Sequence, residues 1–206
     1  MKITSLHLDI LKEIGNIGAA HAATSLSNLL GRKIDMRVPN VNMVSFTEMM
    51  ELAGGSETVV VGIYLRIEGD VEGSMFFILP IGQANRFIKR LIHDETFDFS
   101  NNPVSELGLS ATQELGNILS GSYLSALSDF TRLKLYPTVP GLAVDMFGAI
   151  ISSGLVEISQ VSDHVIVINT SIFEDDYGDS EEVQGHFFLL PDPESFETIF
   201  KALGVV

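Results

Sequence analysis

The chain repeats itself, and this limits its fold more than any other feature. Glu13, Gly15 and Asn16 recur 101 residues later as Glu114, Gly116 and Asn117. The match runs on without a gap through Leu26 and Leu127, Ser27 and Ser128, Lys33 and Lys134, and Val38 and Val139 to Pro39 and Pro140. One unit of about 100 residues, present twice in 206, implies a pseudo-twofold α/β protein, because a solenoid stacks several shorter units. Further along, FFILP (76–80) matches FFLLP (187–191) at a spacing of 111, so the second half carries a longer middle.

Both halves parse in the same order. A long helix is expected over roughly 5–30 and 105–128, then a short strand ending near Val38 and Val139, broken by Pro39 and Pro140. SFTEMMELAGG reads as a short helix closed by glycine, with its counterpart in GLAVDMFGAIISSGLVEIS. Two β-branched and aromatic runs follow in each half and read as a hairpin, and a final helix closes it. FDFSNNPVSE is the break between repeats, which are about 1–100 and about 104–206 of one domain spanning 1–206. Hairpin connections favour a mixed, mostly antiparallel sheet. The halves are expected to share it, since three strands alone leave open edges.

The two long helices carry the polar groups that stand out. Asp9, Glu13 and Asn16 are spaced to lie on one face, as are Ser110, Glu114 and Asn117. Ile10, Leu11, Ile14, Ile17 and Gly18 fall on the other side, so both polar trios are expected to point outward. Gly15, Ala19, Ala20 and Ala23, with Gly116 in the second copy, are expected to keep the outer surface low, so that another molecule's backbone can come close. A mid-helix glycine costs about 1 kcal/mol relative to alanine, and here it occurs twice. Plain solvated helix faces are the competing reading.

Composition narrows the chemistry. A net charge of −15 argues against a general nucleic-acid surface and against docking on anionic lipid. With no cysteine there are no disulfides, thiolate nucleophiles or Cys-based zinc sites. MKITSLHLDI has no apolar signal core, and no segment reaches membrane-spanning length, so a cytoplasmic protein is expected. The five histidines show no metal-ligand spacing; His21 is expected in the core, and no metal site is expected. The acidic stretch EDDYGDSEE (174–182) lacks the order of a calcium loop and reads as a solvated hairpin tip. Met36, Met43, Met49 and Met50 read as core filler. An asparagine is a poor acid or base, yet its amide can hold a water in line with an electrophile, and a nearby carboxylate can pair with a partner's cation or orient the same water. That chemistry suits hydrolysis of a phosphoryl group already bound in another protein.

The order Asp9 or Ser110, Glu13 or Glu114, Asn16 or Asn117, then Pro39 or Pro140 resembles the CheC/CheX/FliY family of chemotaxis phosphatases, in the form that carries the motif twice. The resemblance spans essentially the whole chain. It implies hydrolysis of the aspartyl phosphate of the response regulator CheY: Asn16 and Asn117 orient the attacking water, and Glu13 and Glu114 pair with the regulator's lysine. The Mg2+ belongs to the regulator, so no cofactor is expected on this chain. The resemblance also implies a second partner, the receptor deamidase CheD. The apolar segment 147–158 is a candidate surface for it, against the reading of the same segment as a buried helix or strand. A monomer is expected, since one chain already presents two sites. The alternative is a non-catalytic module that binds CheD or CheY.

Overall fold

The computed structural model describes residues 3–101, 103–155, 164–176 and 179–204; side chains at 153–155, 164, 174–176, 179–181 and 193 are not described. In chain order the elements are α1 (Ser5–Leu30), β1 (Ile34–Arg37), β2 (Val41–Ser45), α2 (Phe46–Leu52), β3 (Val59–Gly69), β4 (Gly73–Pro80) and α3 (Ile81–Ile92), then α4 (Glu106–Thr131), β5 (Leu135–Pro137), β6 (Gly141–Met146), α5 (Phe147–Leu155), β7 (His164–Asp176), β8 (Asp179–Pro191) and α6 (Pro193–Ala202). The sequence places the helices well. It misses β2 and β6, which follow the prolines before each short helix; VNMVS and GLAVDM are short and run directly into Phe46 and Phe147 of the helices that follow.

The strands form one eight-stranded antiparallel sheet in the order β1-β7-β8-β4-β3-β5, with β2 also beside β7 and β6 also beside β3. The halves share the sheet by exchanging short strands: β1 and β2 close the second repeat's hairpin, and β5 and β6 close the first's. Either hairpin alone would leave that outer edge of N–H and C=O groups open. The repeats meet at β4 and β8, where Phe77 lies opposite Phe187 with ring centroids 4.5 Å apart. This pair marks the pseudo-twofold axis. Leu79 and Leu189, which face Val61 and Ile166 across their own hairpins, are accordingly equivalent.

The FFILP/FFLLP match is therefore one residue out of step. It equates Phe76 with Phe187, yet Phe76 packs on the α2 and α5 side of the sheet and Phe187 on the α1 and α4 side. In a strand, a slip of one residue changes the face of every side chain.

The sheet is covered on both sides. On one side lie α1 and α4, packed on each other, with α3 and α6; on the other, Met49 of α2 and Phe147, Ile150 and Ile151 of α5 bury against Phe76, Ile78, Val165 and Phe188. This supports the buried-helix reading of segment 147–158 over its described part; 156–158 lie outside the described residues. The α1–α4 contact is closest at Gly18, where a Cβ would stand 3.0 Å from Tyr123 Cα. Tyr123 packs on Phe187 and shares a 3.0 Å hydrogen bond with Thr170, and burial pushes its hydroxyl pKa up. Met36 and Met49 are core residues, and Met43 and Met50 are half-buried.

Candidate functional site

Asp9 and Glu13 on α1, and Ser110, Glu114 and Asn117 on α4, have exposed side chains on the outer helical faces, where the spacing puts them. Asn16 differs. Its side chain is half-buried and bound to the loop after β1: Oδ1 accepts from the Val38 N–H at 2.9 Å, and Nδ2 donates to the carbonyls of Val38 (3.3 Å) and Lys12 (3.1 Å). Asn16 thus closes on both ends of one residue as a neighbouring strand would. Asn117 makes one long contact, 3.4 Å from its Nδ2 to Glu114 Oε2, between two exposed groups. The expectation that both asparagines point outward holds for Asn117 alone.

The loops explain the difference. Val38 is 1% exposed with Pro39 outside, whereas Val139 is 84% exposed with Pro140 buried. On α4 the loop is held from elsewhere, by Gln113 Nε2 donating to the Pro140 carbonyl at 3.1 Å. Sequence reading passes over Gln113, because its counterpart Lys12 gives no sign of a paired role. It also treats Val38 and Val139 as interchangeable members of the repeat.

The small residues do not shape the outer surface. Gly15, Gly116, Ala19 and Ala23 are buried, and of the residues read as lowering that surface only Ala20 is exposed. A Cβ on Gly15 would lie 3.3 Å from Val38 Cγ2, and one on Gly116 would lie 2.7 Å from Ile63 Cγ2. These glycines bring the helices down onto the loop and the sheet. Their place on the helix, next to the apolar stripe of Ile14 and Leu115, puts them on the inner side.

The histidines are redistributed as well. His21 is exposed, and the buried one is His7, which accepts a 2.9 Å hydrogen bond from the Thr4 N–H at the start of α1 and packs edge-on against Phe200. His186 lies beneath the first loop, its Nδ1 2.6 Å from Asn169 Oδ1; Asn169 in turn donates to Asn40 Oδ1, and its N–H donates to the Asn40 carbonyl. Burial pushes the His186 pKa down. Among the described residues no group of three or more His, Asp or Glu is placed to hold a metal, and no helix is long and apolar enough to cross a membrane. The acidic segment 174–182 lies almost wholly outside the described side chains.

A sequence profile of the CheC-like family matches residues 6–43 and 107–143, the two stretches that hold the motif helix, the short strand and the Val-Pro loop. The chain is 52% identical over 197 residues to a Bacillus subtilis (strain 168) protein described as CheY-P phosphatase CheC, covering 96% of this chain and 93% of that one. Among solved structures, Thermotoga maritima FliY superposes with a TM-score of 0.72 at 21% identity, covering 99% of this chain and 98% of that one. A chain of a Borrelia burgdorferi CheX-CheY-BeF3-Mg complex superposes with a TM-score of 0.50 at 18% identity, covering 85% of this chain and 96% of that one. These two structures share the fold. With half of its residues identical along nearly the full length of its curated relative, and with both repeats matched by the profile, the chain belongs to the CheC-like family.

Proposed function

We propose that this protein hydrolyses the aspartyl phosphate of a CheY-type response regulator, chiefly through Glu114 and Asn117. The observation that carries this reading is the pair itself: a carboxylate and an amide, both exposed, one turn apart on α4. Docked in the regulator's active site, Asn117 holds a water in line with the phosphorus while Glu114 pairs with the regulator's lysine. The water oxygen bonds to phosphorus as the bond from phosphorus to the aspartyl oxygen breaks. The aspartate leaves as a carboxylate and the water's protons go to the released phosphate and solvent, while a Mg2+ held by the regulator would supply charge neutralisation. Catalysis is then positioning of a nucleophile that the partner's electrophile is ready to accept. Kinship with a curated CheY-P phosphatase over 96% of the chain supports the substrate class.

One observation favours a second role for the first face. The donors of Asn16 are already spent on Val38 and Lys12, so Glu13 and Asp9 present a docking surface there whose amide is withheld. The resemblance also implies CheD as a second partner, and two sites on one chain favour a monomer; co-purification and sedimentation test those two points. The decisive experiment for the main reading follows phosphate release from phosphorylated regulator. Wild-type protein accelerates it, and the double change Asn16→Ala with Asn117→Ala abolishes the acceleration. An unaffected double variant would mean that the amides do not act on the water.

A further inference from the structure

The two Val-Pro loops are one dipeptide held in opposite senses. After β1 the valine is in and the proline out; after β5 the valine is out and the proline in. In each case a helix amide reaches the loop; after β5, Thr138 is held as well, its N–H donating to the Arg66 carbonyl and its hydroxyl accepting from the Arg66 N–H. Asn16 takes the Val38 peptide at both ends, and on the other helix Gln113, one turn before Asn117, takes the Pro140 carbonyl. Residues four apart share a helix face, so Gln113 and Asn117 address the same loop. Only one of them grips it. The residue equivalent to Gln113 is Lys12, whose strongly hydrated ammonium is a poor clamp for a half-buried carbonyl; there the loop is gripped by the motif asparagine itself.

We propose that Gln113 is a positioning residue for the second site. By anchoring Pro140 it keeps the Val139 peptide off Asn117 and leaves that amide free to hold a water. The loop is a two-position latch, closed over Asn16 and open over Asn117. The kinetic consequence rests on the phosphatase reading above; the structural one does not.

The test uses the full chain, labelled with 15N, and the variant Gln113→Ala. In the parent, the Asn16 side-chain amide exchanges slowly with solvent and that of Asn117 exchanges fast. In Gln113→Ala the Asn117 amide becomes protected. In an Asn16→Ala background, where only the second site contributes, kcat for phosphate release falls about tenfold with KM unchanged, as for the loss of one neutral hydrogen bond. Adding Val139→Asp reverses both effects, because an ionised side chain resists burial under the helix; Val139 is 84% exposed, so this change leaves the core intact. The proposal is overturned if Gln113→Ala leaves the Asn117 exchange unchanged, whatever kcat does, or if Val139→Asp fails to restore it. If the parent releases no phosphate at all, the phosphatase reading fails while the exchange comparison still decides the latch.

Discussion

The helices α1 and α4 spell the same Glu-x-Gly-Asn, and their asparagines do different things. An amide side chain offers two donors and two acceptor lone pairs. Asn16 has both donors and one lone pair committed to Lys12 and Val38, whereas Asn117 makes a single long contact with Glu114. The surroundings have diverged to match. Beneath the first loop, Asn40, Asn169 and His186 form a hydrogen-bonded chain; in the second repeat the corresponding places go to Gly141, Tyr64 and Phe76, where Tyr64 faces both of the others across the strands. The first loop is tied on both of its faces, at Val38 and at Asn40. The second is held by Gln113 at Pro140 and by Thr138, whose N–H and hydroxyl pair with the Arg66 backbone, leaving Val139 between them without a side-chain partner of this kind. A motif fixes where a side chain sits on its helix, but the neighbouring loop decides whether its hydrogen-bonding capacity remains to be used.

The largest effect expected from this comparison is kinetic. Asn117→Ala should lower phosphate release by about 100-fold, the scale of a lost transition-state contact, while Asn16→Ala changes it by less than about threefold. Steady-state assays on the two single variants decide the point, and equal losses would break the asymmetry. Stability should run the other way. Asn16→Ala leaves the N–H and carbonyl beside a buried Val38 without their partner, at a cost of about 1–3 kcal/mol. Asn117→Ala removes a solvent-exposed contact and costs almost nothing. Urea midpoints of the two variants should therefore rank opposite to their rates.

The next effect is smaller and sharpens the contrast in packing. Alanine at position 116 would place its Cβ 2.7 Å from Ile63 Cγ2, closer than real contacts allow, whereas at position 15 the nearest atom is 3.3 Å away. Either change gains up to about 1 kcal/mol of helix propensity. Overpacking costs about 1–3 kcal/mol. Gly116→Ala should thus be destabilised by about 1 kcal/mol, and Gly15→Ala should stay within about 0.5 kcal/mol of the parent, measured by thermal melts.

Much of this architecture is legible in the sequence, because apolar periodicity and repetition are local signals. The helices, both hairpins, the shared antiparallel sheet and the outward placement of Glu13, Glu114 and Asn117 all follow from them. What escapes depends on contacts between distant segments. The burial of Val38 and the exposure of Val139 are set by which amide reaches the loop, and the two residues are identical. The inner placement of Gly15 and Gly116 follows from the helical stripe, but what each packs against, Val38 and Ile63, lies far away in the chain. The slip between FFILP and FFLLP appears only once strand register fixes the faces. His21 and His7 exchange roles because the helix start packs on Phe200, which belongs to the other repeat.

The smallest effect concerns pH, and it too should separate the two loops. Burial holds the His186 pKa below its ordinary 6.5, so the folded protein takes up that proton later than the unfolded chain does. Its contribution to stability is therefore complete above about pH 6.5 and declines as pH falls through that value toward the lower folded pKa. Asp94 and Asp98, whose pKa values are held below the usual carboxylate range by hydrogen bonds from Thr96 and Ser100, titrate further down and leave the window between about pH 7 and 5 to histidine. The protonated ring keeps its Nδ1–H toward Asn169, so the penalty comes from burying the charge beside Phe188 rather than from a broken bond. His186→Phe installs the residue that occupies the equivalent position, Phe76, in the other repeat. Its urea midpoint should fall less between pH 7 and 5 than that of the parent, and the protection of the Asn16 side-chain amide relative to a free amide should change less over the same range. If the variant's midpoint falls as steeply as the parent's, the acid sensitivity lies elsewhere than at His186.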